Sequence, residues 1–371
     1  MQLLMTAPCL LGLEGLVADE LKNMEASNVF AENGRVYFEG DEAMLARANI
    51  NCRYAERIML VIGRFHAESF EELFQATKAL PWSDFIGSTD TFPVKGYSIS
   101  SALHSVPDCQ KIIKKAVVES LKEDYGISWF EESGPVHQIS FSIMKNEVVL
   151  MLDSSGRALH KRGYRPESND APIRETIAAA MCCLSRLRHY HTMYDPFCGS
   201  GTLLIEGAML AHNIAPGINR NFECDRWGFV PESAWKQERE RCHDMIKTDT
   251  DFVAFGSDID FHALELTMNN AKRIGVDKHL RLEQKDIKYF CPTTEKGTLI
   301  TNPPYGERML DLKEAERLYR IMGEKFVAKK GWSYGIISPD EEFEKCFGRK
   351  ADKRRKLYNG MIKCQYYMYF K

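Results

Sequence analysis

Thr192-Met193-Tyr194-Asp195-Pro196-Phe197-Cys198-Gly199-Ser200-Gly201-Thr202 decides the fold. A short strand ends in an acid, turns through two glycines, and passes at once into a helix carrying Leu203, Leu204, Ala208 and Leu210. Glycines let the backbone come close to a ligand, and the helix N-terminus that follows attracts a negative group such as a carboxylate or phosphate. A nicotinamide dinucleotide fingerprint needs a third glycine, and that position is Leu204. Dinucleotide binding is therefore disfavoured.

Downstream, strand and helix signals alternate, which predicts a parallel sheet with helices on both faces. The second strand is expected over Phe252 to Ser257, ending in Asp258, and the third over Leu280 to Gln284, reaching Asp286. A fourth, around Leu299-Ile300, ends at Asn302. Open α/β sheets bind ligands at the carboxyl ends of their strands, where an acid suits the two hydroxyls of a ribose and Asp286 can accept from an adenine amine. A single polar strand end is more simply a solvated terminus; Asp195, Asp258, Asp286 and Asn302 in series are not explained that way. Asn302 opens Asn302-Pro303-Pro304-Tyr305-Gly306-Glu307-Arg308. The prolines fix φ and donate no N–H, so the Asn302 amide oxygen and the Pro303 carbonyl form a rigid pair of acceptors for both protons of an exocyclic amine. Tyr305 can stack on the ring bearing that amine. The plainer alternative is a proline turn with Tyr305 packed inward. After it come an amphipathic helix through Ala315, Tyr319, Met322 and Phe326, a strand Ser333 to Ile337, and a hairpin turning at Asn359-Gly360. Seven basic residues between Lys345 and Lys356 are either a solvated run or a phosphate-tracking one. Residues 212 to 250 interrupt the alternation and are expected to pack as an insertion over the sheet edge.

Upstream, residues 1–64 read as a small α+β module with a hairpin at Asn33-Gly34, and residues 65–156 as a second. In the second, a helix from Pro107 to about Tyr125 sets Ile112, Ile113, Ala116, Val117 and Leu121 on a core side and Lys111, Lys115 and Lys122 on a basic stripe. That stripe is an ordinary solvated face or a surface for phosphates. Asp153-Ser154-Ser155-Gly156 marks the boundary, and the basic linker His160 to Pro166 leads into the third domain, 160–371.

At 371 residues two or three domains are expected, and a net charge of −3 requires any nucleic-acid surface to be local. Eleven scattered cysteines with no Cys-x-x-Cys pair argue against zinc and for reduced thiols. Without a basic signal start or an apolar run of ~18 residues, the chain is expected in the cytoplasm.

With Asp195 to Thr202, Asp258, Asp286 and Asn302-Pro303-Pro304-Tyr305, the chain resembles the class I S-adenosylmethionine-dependent methyltransferases. With Leu159 to Arg165, Ala171 to Thr176 and Gly306-Glu307-Arg308, it is more closely similar to the THUMP-domain RNA guanine-N2 methyltransferases of bacterial 23S rRNA. The resemblance implies a ferredoxin-like module and an RNA-binding THUMP module before a Rossmann-like catalytic domain. It implies S-adenosylmethionine held by Asp195, Phe197, Cys198, Gly199, Ser200, Gly201, Thr202, Asp258, Ile259, Asp286, Ile287 and Asn302, with Asn302, Pro303, Pro304 and Tyr305 catalytic. RNA contacts are expected at Lys111, Lys115, Lys122, Arg162, Arg165, Arg308, Arg354 and Arg355. Some relatives carry a second methyltransferase domain, which a chain of this length is not expected to hold. Two enzyme readings stay open beside guanine N2: adenine N6 in a nucleic acid, and a glutamine side chain, for which the basic segments would be idle. A non-catalytic RNA-binding assembly factor is the reading from another class.

Overall fold

The computed structural model describes residues 1–166, 173–305, 312–360 and 362–370. The chain divides into two compact units, one of Met1–Cys9, Val17–Leu159 and Arg220–Arg241, the other of Leu10–Leu16, His160–Asn219 and Cys242–Lys371. Gly306, Glu307, Arg308, Ala171 and Pro172, which the sequence singled out, lie outside the described residues.

The first unit runs through β1 (Leu3–Pro8), α1 (Glu14–Asn23), β2 (Ser27–Glu32), β3 (Arg35–Gly40), α2 (Glu42–Asn51), β4 (Met59–His66), α3 (Phe70–Lys78), β5 (Val94–Ile99), α4 (Val106–Tyr125), β6 (Ile139–Met144) and β7 (Glu147–Asp153). These strands form one sheet in the order β2-β3-β1-β4-β7-β6-β5. The expected break at residues 64 and 65 falls inside β4, which pairs with β1 at Leu60↔Met5 and with β7 from Met59↔Asp153 to His66↔Glu147. Two adjacent modules thereby share a sheet, and neither leaves an unpaired edge at their junction. Helix α4 buries Cys109, Ile113, Ala116, Val117 and Leu121 and stops at Gly126, whose φ of +64° suits glycine. Ile112, expected on the core side, is only half-buried.

The segment Arg220–Arg241 is a correction. Residues 212–250 as a whole are expected over the edge of the catalytic sheet; instead Arg220–Arg241 belong to the first unit, and only the flanking stretches up to Asn219 and from Cys242 belong to the second. The Trp227 ring stacks on His137 at 4.7 Å between centroids, and its indole N–H donates to the Val136 carbonyl at 3.0 Å. Arg220 donates to the carbonyls of Arg157 and Ala158, and Glu238 accepts from Asn51 and Arg47. A long polar-looking stretch folds away because Cys224, Trp227 and Trp235 need a core.

The second unit holds α5 (Glu175–Leu184), β8 (Thr192–Asp195), α6 (Thr202–Ala211), the end of α7 (Glu232–Asp244), β9 (Val253–Asp258), α8 (Phe261–Ile274), β10 (Leu280–Gln284), β11 (Gly297–Thr301), α9 (Leu312–Lys325), β12 (Trp332–Ser338), α10 (Phe343–Phe347), β13 (Lys353–Asn359) and β14 (Ile362–Phe370). Its sheet order is β10-β9-β8-β11-β12-β14-β13, parallel through the first five and antiparallel at β14 and β13. Ala315, Tyr319 and Met322 of α9, with Phe326 just past its end, pack on Leu299, Tyr334 and Ile336 of the sheet with Phe343 and Phe347 of α10. Register places Asp195 opposite Gly256, Asp258 opposite Gln284, and Tyr194 opposite Leu299, so the carboxyl ends of β8 to β11 share one edge. Strand order reverses between β8 and β11, which opens a crevice at that point of the edge.

Candidate active site

At the crevice, the loop after β8 is held from several sides. Gly199 has φ +53° and Gly201 φ +81°, conformations that L side chains rarely adopt. A β-carbon on Gly201 would also lie 2.6 Å from Thr267 Cγ2. Thr267 Oγ1 donates to the Gly199 carbonyl at 2.7 Å, and Asn270 Nδ2 to the Ser200 carbonyl at 3.0 Å. The Cys198 N–H donates to Ser257 O, and Gly199 N–H to Asp258 Oδ2 at 2.9 Å. Neither Thr267 nor Asn270 was singled out in the sequence. Their signal was two polar residues three apart on the buried face of a helix, beside Ala263, Leu264 and Ala271.

The two acids expected to meet a nucleoside lie next along the edge. Asp258 is half-buried and accepts from the N–H groups of Gly199 and Asp260. An ionised carboxylate has about four lone-pair sites, which leaves capacity for two hydroxyls. Asp286 accepts from the Lys288 N–H at 2.9 Å, the bond that chiefly holds its carboxyl below the usual range, and pairs with the Lys288 ammonium. Ile259 is 69 % exposed beside Asp258. Ile287, which follows Asp286, is buried and packs in the core with Phe290 and Leu299. Cys198 is buried as well, and burial pushes its thiol pKa well up, so it stays neutral.

Asp195 sits 2 % exposed at the end of β8. One carboxylate oxygen accepts from Thr301 Oγ1 at 2.6 Å and from the Phe197 N–H at 3.1 Å. Burial pushes its pKa up to about 7. Asp195 therefore ties the loop to the end of β11, one residue before Asn302. The Asn302 amide oxygen is buried and accepts no hydrogen bond among the described residues. Buried acceptors are almost always paired, so one left open beside a ligand crevice is set for a donor that comes and goes. Pro303 is buried and Pro304 half-buried. The Tyr305 ring is 6 % exposed, packed inward as in the plainer of the two expectations, and its hydroxyl accepts from Asn359 Nδ2 at 2.9 Å. Asn359 read as a turn residue alone.

Of the basic residues expected on RNA, the two in the linker are corrected. Arg162 is 2 % exposed and pairs with the buried Glu206, which also accepts from the Tyr164 hydroxyl at 3.0 Å. The Arg165 side chain, 10 % exposed, pairs with Glu175 at 2.9 Å and donates to Thr202 Oγ1 at 2.8 Å. Buried charges need partners, and these two brace the N-terminal half of α6, at Thr202 and Glu206. Arg354 is bound to Glu344, and Arg355 donates to the Gly12 carbonyl. Lys111 and Lys115 are exposed, with long contacts to Asp108 at 3.7 Å and Glu119 at 3.9 Å, and Lys115 Nζ also lies 5.4 Å from the Phe74 ring centroid; Lys122 is half-buried. Arg308 lies outside the described residues. Among the described residues no cluster of three or more His, Cys, Asp or Glu is placed to hold a metal ion.

Comparison with known proteins adds to this geometry. Residues 162–368 match the RMKL-like methyltransferase domain, residues 5–59 the RlmL ferredoxin-like domain, and residues 67–153 the THUMP domain. YpsC of Bacillus subtilis, named provisionally as an RNA methyltransferase, is 41 % identical over 99 % of this chain and 95 % of its own length. Ribosomal RNA large subunit methyltransferase K/L of Shewanella frigidimarina is 32 % identical over 96 % of this chain, which spans 51 % of that protein. The crystal structure of SMU.472 complexed with S-adenosylhomocysteine superposes with a TM-score of 0.95 at 40 % identity, covering 100 % of this chain and 98 % of that one. A predicted N6-adenine-specific DNA methylase from Listeria monocytogenes gives 0.95 at 40 % identity, covering 100 % and 96 %.

Proposed function

The chain belongs to the THUMP-containing, RMKL-like methyltransferases, with S-adenosylmethionine as methyl donor, and from that premise we propose that it methylates the exocyclic N2 of a guanine in 23S rRNA. The observation that carries the proposal is the buried, unpaired Asn302 amide oxygen beside two prolines at the switch point. The donor's sulfonium methyl is already electrophilic when bound. What this chain must supply is alignment and an amine whose lone pair is turned out of conjugation. Asn302 Oδ1 and the Pro303 carbonyl accept hydrogen bonds from the two N–H groups, and the one proton that the methylated nitrogen sheds passes to water, so no strong base is needed. The loop of Gly199 to Gly201 and Asp258 would hold the cofactor; their geometry fits, since the glycines keep side chains out of the crevice and Asp258 retains lone pairs. The guanine is unstacked or flipped out of the RNA to reach the edge.

The name of a structural relative favours a second reading, adenine N6, because the same acceptor pair suits any planar amine. One assay separates them: radiolabelled methyl transfer to total RNA lacking the modification, then digestion and nucleoside analysis by mass spectrometry. N2-methylguanosine is the expected product. N6-methyladenosine, or label in protein alone, overturns the substrate assignment. In the same assay Asn302→Ala should lower turnover by ~10²-fold or more while calorimetry shows S-adenosylhomocysteine affinity nearly unchanged. Full activity in that variant would overturn the acceptor mechanism.

A further inference from the structure

The seven basic residues between Lys345 and Lys356 are not equivalent. Arg354 is bound to Glu344, Arg355 to the Gly12 carbonyl, and Lys345 lies 3.2 Å from Glu342. Arg349 differs from all three. Its guanidinium carbon lies 4.6 Å from the ring centroid of Tyr369, 5.5 Å from that of Phe347 and 5.6 Å from that of Tyr334. Its Nε and Nη2 are buried and make no hydrogen bond among the described residues. The rings stabilise the charge but offer no lone pair to those N–H groups. Arg349 as a whole is half-buried, but its buried N–H donors are costly to leave open unless something accepts them.

Arg349 borders a cavity of about 70 Å³ shared with Trp332, Tyr334, Lys350, Asp352 and Tyr369. The indole N–H of Trp332 is likewise buried and unpaired. Asp352 is the one acid there, and its Oδ2 accepts from the Phe370 N–H at 2.7 Å. Lys350 is exposed. The site thus combines open donors, a net positive lining and room for a few heavy atoms, too little for a base.

We propose that this cavity is a phosphate subsite in which Arg349 and Lys350 take one phosphodiester of the RNA. A planar guanidinium matches the fork of a phosphate, and the lysine adds a point charge. The assignment rests on the RNA reading above and goes beyond it by moving the phosphate contact of this tail from Arg354 and Arg355 to Arg349 and Lys350. The cavity lies by Trp332 at the amino end of β12, six residues from Ser338 near the catalytic edge. At ~3.3 Å per residue that is ~20 Å, so the phosphate belongs to a nucleotide other than the target. Such a contact fixes register and carries no sequence information.

The test uses the full chain and a 23S rRNA transcript, with affinity measured across a salt series. Arg349→Met with Lys350→Gln should weaken binding several-fold and reduce the slope of log affinity against log salt by about 1. Arg354→Gln should leave both unchanged, and S-adenosylhomocysteine affinity should be unaffected in every variant. If Arg349→Met does not fold, Lys350→Gln alone, on an exposed residue, should still flatten the slope. A wild-type slope in the double variant overturns the subsite while leaving the RNA reading intact. Wild-type protein that binds no RNA overturns both. A free anion is the other source of the same chemistry. Saturable binding of inorganic phosphate to wild-type protein, lost in Arg349→Met with no change in RNA affinity, would reassign the cavity to it and overturn the RNA contact.

Discussion

Asn359 is 2 % exposed and donates its amide to the Tyr305 hydroxyl. Read from the sequence, Tyr305→Phe is a mild change that keeps a ring. The buried pair argues otherwise, because removing the hydroxyl leaves the Asn359 amide without that acceptor, a loss of ~1–3 kcal/mol. Tyr305→Phe and Asn359→Leu should each lower thermal stability and turnover, and the double variant should be no worse than the poorer single one. A double-mutant cycle giving additive losses would sever the link between the two side chains. Asp195 sets a pH dependence. Its carboxyl titrates at about 7 in the folded chain against an ordinary 3.8, so between these values the folded state holds a proton that the unfolded chain has released. The stability this residue contributes is complete below about pH 4 and is lost as pH rises through about 7. Asp195→Asn keeps an oxygen for Thr301 and Phe197 and removes the titration. Urea melts at pH 5 and pH 8 should show wild type losing more stability than the variant; parallel losses would refute the burial argument.

Among the elements, α4 offers the sharpest test of the first unit. Lys111 and Lys115 stand free of close pairing on the face opposite Ile113 and Val117, whereas Lys122 is half-buried. Changing all three lysines to glutamine should weaken RNA binding and flatten its salt dependence, with cofactor affinity unchanged. An unaltered RNA affinity would make the stripe a solvated face. Elements of this kind were readable because their signals are local. The run Leu280 to Gln284 is β10 without a shift, and the last hairpin turns within one residue of Asn359-Gly360, Asn359 itself closing β13 opposite Ile362, since periodicity and turn chemistry need only near neighbours. The four polar strand ends were readable for the same reason. The direction of a side chain was not. Arg162 and Arg165 point inward to Glu206 and Glu175, and Tyr305 turns in toward a residue 54 positions away. Thr267 and Asn270 became loop clamps only once α8 was packed beside the loop that follows β8.

At the scale of the whole chain, the first unit is not contiguous. It closes with Arg220–Arg241, whose Trp227 and Trp235 are buried. Deleting one buried tryptophan side chain typically costs ~3–5 kcal/mol, and a fragment ending at residue 155 lacks both. That fragment should unfold broadly or not cooperatively in a thermal melt, while residues 1–159 joined by a Gly-Ser linker to 220–241 should regain a sharp transition. A cooperative melt of the short fragment would show the returning segment to be dispensable. The same layout governs how the chain is born. A ribosome adds roughly 5–20 residues per second, so the 82 residues from Leu159 to Arg241 take roughly 4–16 s to appear. During that interval the earliest-made part of the molecule waits with its face for Trp227 uncovered, and the start of the later unit emerges before the earlier one is finished. Synthesis therefore cannot deliver two completed bodies in turn; one is sealed in the midst of making the other, and a pause before codon 241 lengthens exposure to proteases and chaperones.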